Sequence, residues 1–166
     1  MTSAYTAPGL GEAEAEQVRD ALQDRLYALI DLTLTLKHVH WNVVGPNFIG
    51  VHEMLDPQYA AVSEMVDDTA ERLATLGGQP LGTAGAVVAG RSWDDYAVNR
   101  AVTTEHLRAL DDVYVGVIGD HRKAIALTDD LDLVTQDMLI GQTEKLEMFQ
   151  WFVRAHLEDS SGSLEK

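Results

Sequence analysis

Residues 77–91 read Gly77-Gly78-Gln79-Pro80-Leu81-Gly82-Thr83-Ala84-Gly85-Ala86-Val87-Val88-Ala89-Gly90-Arg91, and this stretch decides the fold. It holds five of the chain's 13 glycines together with Pro80, so it reads as a long connection and not as a helix. Before it, a helical pattern runs from Asn47 or Phe48 to Leu76, with Gly77-Gly78 as a C-terminal stop and Pro80 just beyond. Pro57 lies inside that second helix, where its missing donor and its ring predict a kink. Further upstream, Leu22, Leu26, Leu29, Leu36 and His40 recur at spacings of three, four or seven, with Thr33 filling the gap. They mark one apolar stripe on a first helix that starts near Glu12, spans roughly thirty residues and ends at Gly45-Pro46.

After the connection, Ser92 followed by Asp95 resembles a capping box and predicts a short helix from Trp93. A third long helix is expected from about Val98 to Ala126, weakened locally by Gly116 and Gly119. The run Asp129-Asp130-Leu131-Asp132 places acidic residues at the positive start of a fourth helix, which continues to about Leu157. No strand-like alternation, internal repeat or low-complexity block stands out. Four long helices with one long middle connection make an all-α four-helix bundle over residues 12–158, with a short extra helix in the crossover. A flexible N-terminal tail, residues 1–11, and a short C-terminal tail, residues 159–166, flank it.

Composition narrows the function. A chain of 166 residues suggests one domain able to bury its own core. Twelve Lys and Arg stand against 27 Asp and Glu, a formal net charge of −15, which repels phosphate backbones and anionic lipid and tolerates metal cations. The absence of cysteine excludes disulfides, Cys-ligated zinc, iron–sulfur clusters and a thiol nucleophile. The first 18 residues carry no basic residue and no apolar run, and no stretch reaches the ~18 apolar residues of a membrane span. The cytoplasm is therefore the expected address.

The second helix carries the chemistry. At about 100° per residue, with His52 at zero, Asp56 falls near 40°, Asp67 near 60° and Glu71 near 100°. His52/Asp56 and Asp67/Glu71 are each i,i+4 pairs on one arc, able to point at a common ion. Imidazole with carboxylates suits iron, manganese or zinc. The two pairs are centred fifteen residues apart, about 22 Å along a helix, too far for one ion to bridge. Either the chain holds two half-built sites, or two antiparallel copies of the helix complete each other across a two-fold axis, which is the favoured reading. A plain solvated face would also carry such residues. His40, ending the first apolar stripe and one turn-linked step from His52, weighs toward metal. His38, His106, His121 and His156 have no such partners and read as surface or core histidines. No histidine completes an E-x-x-H motif, so a di-iron site inside one bundle is not built in the usual way.

Three blocks then stand together within a short span: His40-Trp41-Asn42-Val43-Val44-Gly45-Pro46-Asn47-Phe48, Val51-His52-Glu53-Met54-Leu55-Asp56, and Asp67-Asp68-Thr69-Ala70-Glu71-Arg72-Leu73. Their order and spacing resemble the Dps (DNA-protection-during-starvation) family, the miniferritins, and the resemblance covers nearly all of the chain except the tails. It implies a ferritin-like four-helix bundle and a hollow homododecamer built from two-fold dimers. It implies an iron-oxidising (ferroxidase) site at each two-fold interface, with His40, His52 and Asp56 from one subunit and Asp67 and Glu71 from its neighbour. It implies that Fe2+ is oxidised by hydrogen peroxide in preference to dioxygen and that the Fe3+ is stored as mineral. Trp41 has two readings, a redox or shielding role beside His40 and, favoured, simple interface packing. Asp129, Asp130, Asp132 and Asp137 read either as an acidic iron entry pore, as the family has in this region, or as ordinary helix-start charge.

Two features depart from the family pattern. Its DNA-binding members use basic tails, whereas here Glu12, Glu14 and Glu16 precede the first basic residue, Arg19, and Lys166 stands beside Glu165. Twelve copies would carry roughly −180 charges, so DNA binding is expected to be weak or absent, against the alternative of a nucleoid-associated protein with a secondary iron site. Pro57 directly follows Asp56 and biases that ligand away from helical geometry.

Overall fold

The structure is a computed structural model that describes residues 9–158 and Ser163. Its elements in order are α1 (Glu12–Asn42), β1 (Val43–Val44), α2 (Phe48–Thr75), α3 (Ala84–Gly90), β2 (Ala101–Val102), α4 (Thr103–Thr128) and α5 (Leu133–Ala155). α1 packs along α2 and α4 along α5, so the chain forms two helical hairpins joined by one long crossover. Leu22, Leu26, Leu29 and Leu36 of the α1 stripe are buried as expected, His40 at its end is half-buried, and Leu32, not Thr33, fills the gap at its centre. Thr33 turns its hydroxyl onto the Leu29 carbonyl instead. The main core joins Leu29, Leu36 and Val39 of α1 to Val51, Leu55 and Val62 of α2, Leu110 and Tyr114 of α4, and Leu146 and Phe149 of α5.

α2 continues through Pro57 and keeps Asp56 within the helix, so tertiary packing overrides the local bias of a residue before proline. Its end is a Schellman turn. Gly77 takes φ +79, its N–H donates to the Ala74 carbonyl at 2.9 Å, and the Gly78 N–H donates to the Leu73 carbonyl at 3.0 Å.

The crossover corrects two expectations. The short helix is α3, inside the glycine-rich stretch, and residues from Arg91 to Arg100 form no helix. The Thr83 hydroxyl caps α3 by accepting from the Ala86 N–H, and the small residues that follow let α3 lie on α1, where Gly90 meets the Tyr27 ring too closely for a Cβ. The expected capping pair at Ser92 does not form because Asp95 is drawn to Arg91. Arg91 also binds Asp31 of α1 at 2.9 Å, and the Trp93 indole N–H donates to the other oxygen of Asp31 at 2.7 Å. The second correction is a two-residue parallel pairing, Val43 with Ala101 and Val44 with Val102, which joins the end of α1 to the start of α4 and delays α4 to Thr103.

The expected N-terminal tail falls mostly on residues 1–8, outside the described residues. Leu10 already packs on the cluster of Val18, Leu22, Leu73 and Leu76, so the chain is anchored before α1 begins. The expected C-terminal tail, residues 159–166, lies outside the described residues apart from Ser163. Among the described residues no helix is long and apolar enough to cross a membrane.

Candidate metal centre

The short turn between α1 and α2 brings the last turn of one helix against the first turn of the next. This places His40 and His52 face to face, with ring centroids 3.6 Å apart and planes 23° from parallel. The two residues bond reciprocally. His40 Nδ1 lies 2.9 Å from the His52 carbonyl, and His52 Nδ1 lies 2.9 Å from the His40 carbonyl. A carbonyl only accepts, so each Nδ1 carries a proton, and in the neutral imidazole the lone pair is then on Nε2. One of the two acceptors, on His40, belongs to the last turn of α1, where carbonyls lack intrahelical partners. The same bonds thus cap a helix end and fix two imidazoles in the tautomer a metal requires. Phe48 flanks the pair, its ring centroid 5.0 Å from that of His52.

Asp56 sits one turn beyond His52. Its Oδ1 lies 3.5 Å from His40 Nδ1 and accepts from Lys37 Nζ at 2.7 Å. The Lys37 hydrogen bond holds the Asp56 carboxyl below the usual carboxylate range, overcoming partial desolvation and helped by the nearby imidazoles. Lys37 also lies over the Tyr59 ring, 4.7 Å from its centroid. Sequence reasoning missed Lys37, although its place one turn before His40 on α1 was the available signal.

The structure therefore brings His40, His52 and Asp56 together. Asp67 and Glu71 stand further along α2, exposed, neither carboxylate engaged by another side chain among the described residues. Within one chain, no group of three or more His, Asp or Glu among the described residues is arranged to hold a metal ion. Between the two halves, Ile30, Thr33 and Leu34 of α1 and Ser63 and Val66 of α2 line a shallow, mostly apolar groove. Leu34 is 60% exposed there, and Trp41, beside His40, is 73% exposed.

The acidic run after α4 divides. Asp132 is the N-cap of α5, accepting from the Val134 N–H at 3.2 Å, the Thr135 hydroxyl at 2.5 Å and Arg72 Nη2 at 2.6 Å. Burial raises its pKa, but the bonds from Thr135 and Arg72 outweigh that and leave it lowered. Asp129 accepts from the Gln136 amide at 2.8 Å, while Asp130 and Asp137 are exposed. Of the remaining histidines, His106 and His121 are buried and His156 is exposed. His38 donates from Nε2 to the Val98 carbonyl at 2.8 Å, and the Tyr96 hydroxyl donates to the His106 carbonyl at 3.2 Å and lies 3.0 Å from His106 Nδ1. These two pin the crossover to α1 and α4.

The sequence pattern that defines the Ferritin-like domain matches residues 19–162. The chain is thus a ferritin-like protein by both sequence and helix arrangement. It is 59% identical over 164 residues to a DNA protection during starvation protein of Mycolicibacterium smegmatis, covering 99% of this chain and 89% of that one. The solved structure of Mycobacterium smegmatis Dps superposes with a TM-score of 0.96, covering 99% of each chain. DpsA14 from Streptomyces coelicolor superposes with a TM-score of 0.97 at 55% identity, covering 100% of this chain and 99% of that one. Within the ferritin-like proteins, the chain belongs to the Dps family.

Proposed function

We propose that the protein is an iron-detoxifying and iron-storing shell that oxidises Fe2+ with hydrogen peroxide at sites shared between subunits. The observation that carries this reading is the reciprocal bonding of His40 and His52, which engages both Nδ1 atoms and leaves both Nε2 atoms available as ligands, with the Asp56 carboxylate 3.5 Å from the His40 ring. The set is incomplete in one chain. Asp67 and Glu71 of the partner subunit complete it when two α2 helices run antiparallel across a two-fold axis. The exposed groove around Leu34 and Val66 lies between the two halves and gives that interface an apolar centre. Trp41 packs into the same contact.

Few ligands, all oxygen or imidazole nitrogen, hold Fe2+ while leaving positions open to the oxidant. Two Fe2+ give one electron each to hydrogen peroxide. With two protons the peroxide becomes two waters, and no hydroxyl radical is released. Fe3+, held by few groups, then passes to mineral inside a twelve-subunit shell. Asp129, Asp130 and Asp137, which are exposed, together with the half-buried Asp132, form its iron entry pore. Lys37 neutralises Asp56 until Fe2+ displaces it.

Addition of Fe2+ and peroxide tests the activity directly. Ferric absorbance rises within the mixing experiment in the unaltered protein, and a slow rise matching buffer alone would reject the reading. Light scattering on the purified protein checks the shell, with twelve copies expected and a monomer contradicting it. The relatives' names speak of DNA protection, but the acidic surface argues that direct DNA binding is weak here. A low-salt gel shift at neutral pH is expected to show free DNA, and tight magnesium-independent binding would favour the nucleoid reading instead.

A further inference from the structure

Away from the metal centre, a cavity of about 410 Å³ lies between α1, α4 and the crossover segment. A space of that size falls in the range of small-molecule sites. Its floor is apolar, formed by the buried Ala28 and Leu32 of α1 and Val117 of α4. Trp93 and Tyr96, both half-buried, form the crossover side. Their polar atoms are already engaged. The indole N–H donates to Asp31 at 2.7 Å and the Tyr96 hydroxyl to the His106 carbonyl at 3.2 Å, so the two side chains are held in place and offer the cavity carbon surface. Gly116 of α4 also lines the space, and a Cβ there would meet nothing within 4 Å. A glycine inside a helix weakens it, so this position gives up helix stability while leaving the cavity open.

The charge around this floor has one sign. Five aspartates line the cavity beside a single basic residue, Arg25. Arg25 is buried and bonds Asp24 at 2.5 Å, with Asp120 at 3.6 Å, so its charge is neutralised within the chain. Three of the lining aspartates are likewise compensated. Arg91 binds Asp31 at 2.9 Å and also Asp95, and Lys123 binds Asp120 at 2.7 Å. Asp94 and Asp112 are left. Both are exposed at the mouth of the cavity, and neither is in an ion pair among the described residues. These carboxylates are not placed to grip a metal ion, because no three His, Asp or Glu among the described residues converge for one. A bare ion would also gain nothing from an apolar floor.

We propose that this cavity binds a small organic cation, an amine with an apolar body. The body rests on Leu32 and Val117 beside Trp93 and Tyr96, and the ammonium stays at the mouth with Asp94 and Asp112. Burial of the body supplies the attraction, and the two carboxylates select the charge of the head. A neutral head on the same body keeps the apolar contact and loses the Coulomb attraction. An anionic head meets like charge. The site is separate from the metal centre and does not depend on the iron chemistry.

The test uses three probes with one body and three heads: hexylamine, hexanol and hexanoate. Each is titrated by calorimetry into the assembled, iron-free protein at neutral pH. Hexylamine is expected to saturate one site per chain, hexanol to bind about tenfold more weakly, and hexanoate not to bind. Methylamine, a head without a body, separates the cavity from the general pull of an acidic surface and is expected to give no saturable heat. Gly116→Leu fills the cavity and raises helix propensity, so it is expected to abolish hexylamine binding while leaving the fold and ferroxidation unchanged. Asp112→Asn and Asp94→Asn, at the exposed mouth, are each expected to weaken hexylamine about threefold. Equal binding of hexanol, binding of hexanoate, saturable binding of methylamine, hexylamine binding that survives Gly116→Leu or is untouched by both aspartate variants, or no heat from hexylamine at millimolar concentration would each overturn the proposal.

Discussion

The two ends of α2 carry the same device, a pair of ligand-type side chains one turn apart, and they are built in opposite ways. At the N-terminal end, His52 and Asp56 are held by residues of α1: His40 fixes the imidazole and Lys37 the carboxylate. Behind them stand Val51 and Leu55 of the apolar core. At the C-terminal end, Asp67 and Glu71 are exposed and engaged by no other side chain among the described residues, while a polar layer backs them. There the buried Thr69 accepts from the Gln142 amide at 3.0 Å, and the buried His121 bonds only the Val117 carbonyl among the described residues, through Nδ1 at 3.0 Å. One end is organised by its own chain, and the other offers bare carboxylates on a well-held helix. Under the shared-site reading each end supplies what the other lacks.

The largest effect should come from breaking either end. His52→Ala and Asp67→Ala, made separately, are each expected to slow peroxide-driven iron oxidation by more than about tenfold, read as the initial rise in ferric absorbance. A large loss for His52→Ala with none for Asp67→Ala would confine the site to one end and break the comparison.

The polar layer behind the bare end predicts an acid sensitivity that the other end lacks. Burial, reinforced by the Arg25 charge, pushes His121 down to about 4 from an ordinary value of 6.5. A group whose folded pKa is depressed contributes stability that is complete above pH 6.5 and is lost as pH falls toward 4. The loss amounts to about 3 kcal/mol. Urea unfolding at fixed protein concentration should show it between pH 7 and pH 4, and His121→Gln should flatten that dependence. Hydrogen exchange should locate the acid-induced opening near residues 65–75 before 51–62.

A smaller effect sharpens how the bare end is aimed. Arg72, next to Glu71, is tied to Asp132 and Thr135 across the bundle. Asp132→Ala removes that tie and the cap of α5, with an expected cost of about 2 kcal/mol. Because the Asp132 pKa is lowered in the fold, the difference from the unaltered protein should shrink as pH falls through it. Thermal unfolding of the two proteins at pH 7 and at acid pH measures this.

The smallest effect concerns Lys37. Lys37→Gln frees the exposed Asp56, and Fe2+ affinity should tighten by about twofold to threefold in anaerobic titration. Weakened binding would show that Lys37 supports the carboxylate and does not compete for it.

Much of this arrangement was legible in the sequence because it rests on periodicity. Four long helices, the glycine stop after α2 and the single arc of His52, Asp56, Asp67 and Glu71 all follow from counting residues along a helix. What escaped depended on contacts between distant segments. Ser92 and Asp95 form a local capping pattern, yet Arg91 and Asp31, sixty residues apart, take the segment out of helix. The Val43–Ala101 pairing involves too few residues to leave an alternating signal. The facing carbonyls that set the tautomers of His40 and His52 belong to the backbone, which no side-chain pattern reports. His121 carried no partner at helical spacing because its neighbours, Arg25 and Gln142, come from other helices.

Co-expression of His52→Ala and Asp67→Ala chains in equal amounts tests the shared site most directly. With random pairing, half of the two-fold dimers are mixed, and each mixed dimer contains one site with every group intact and one lacking both. The account predicts that about a quarter of the full rate returns in the co-assembled protein, although each variant alone is nearly inactive. Co-assembled protein as inactive as either variant alone would contradict it, because a site contained within one chain is never rebuilt by pairing.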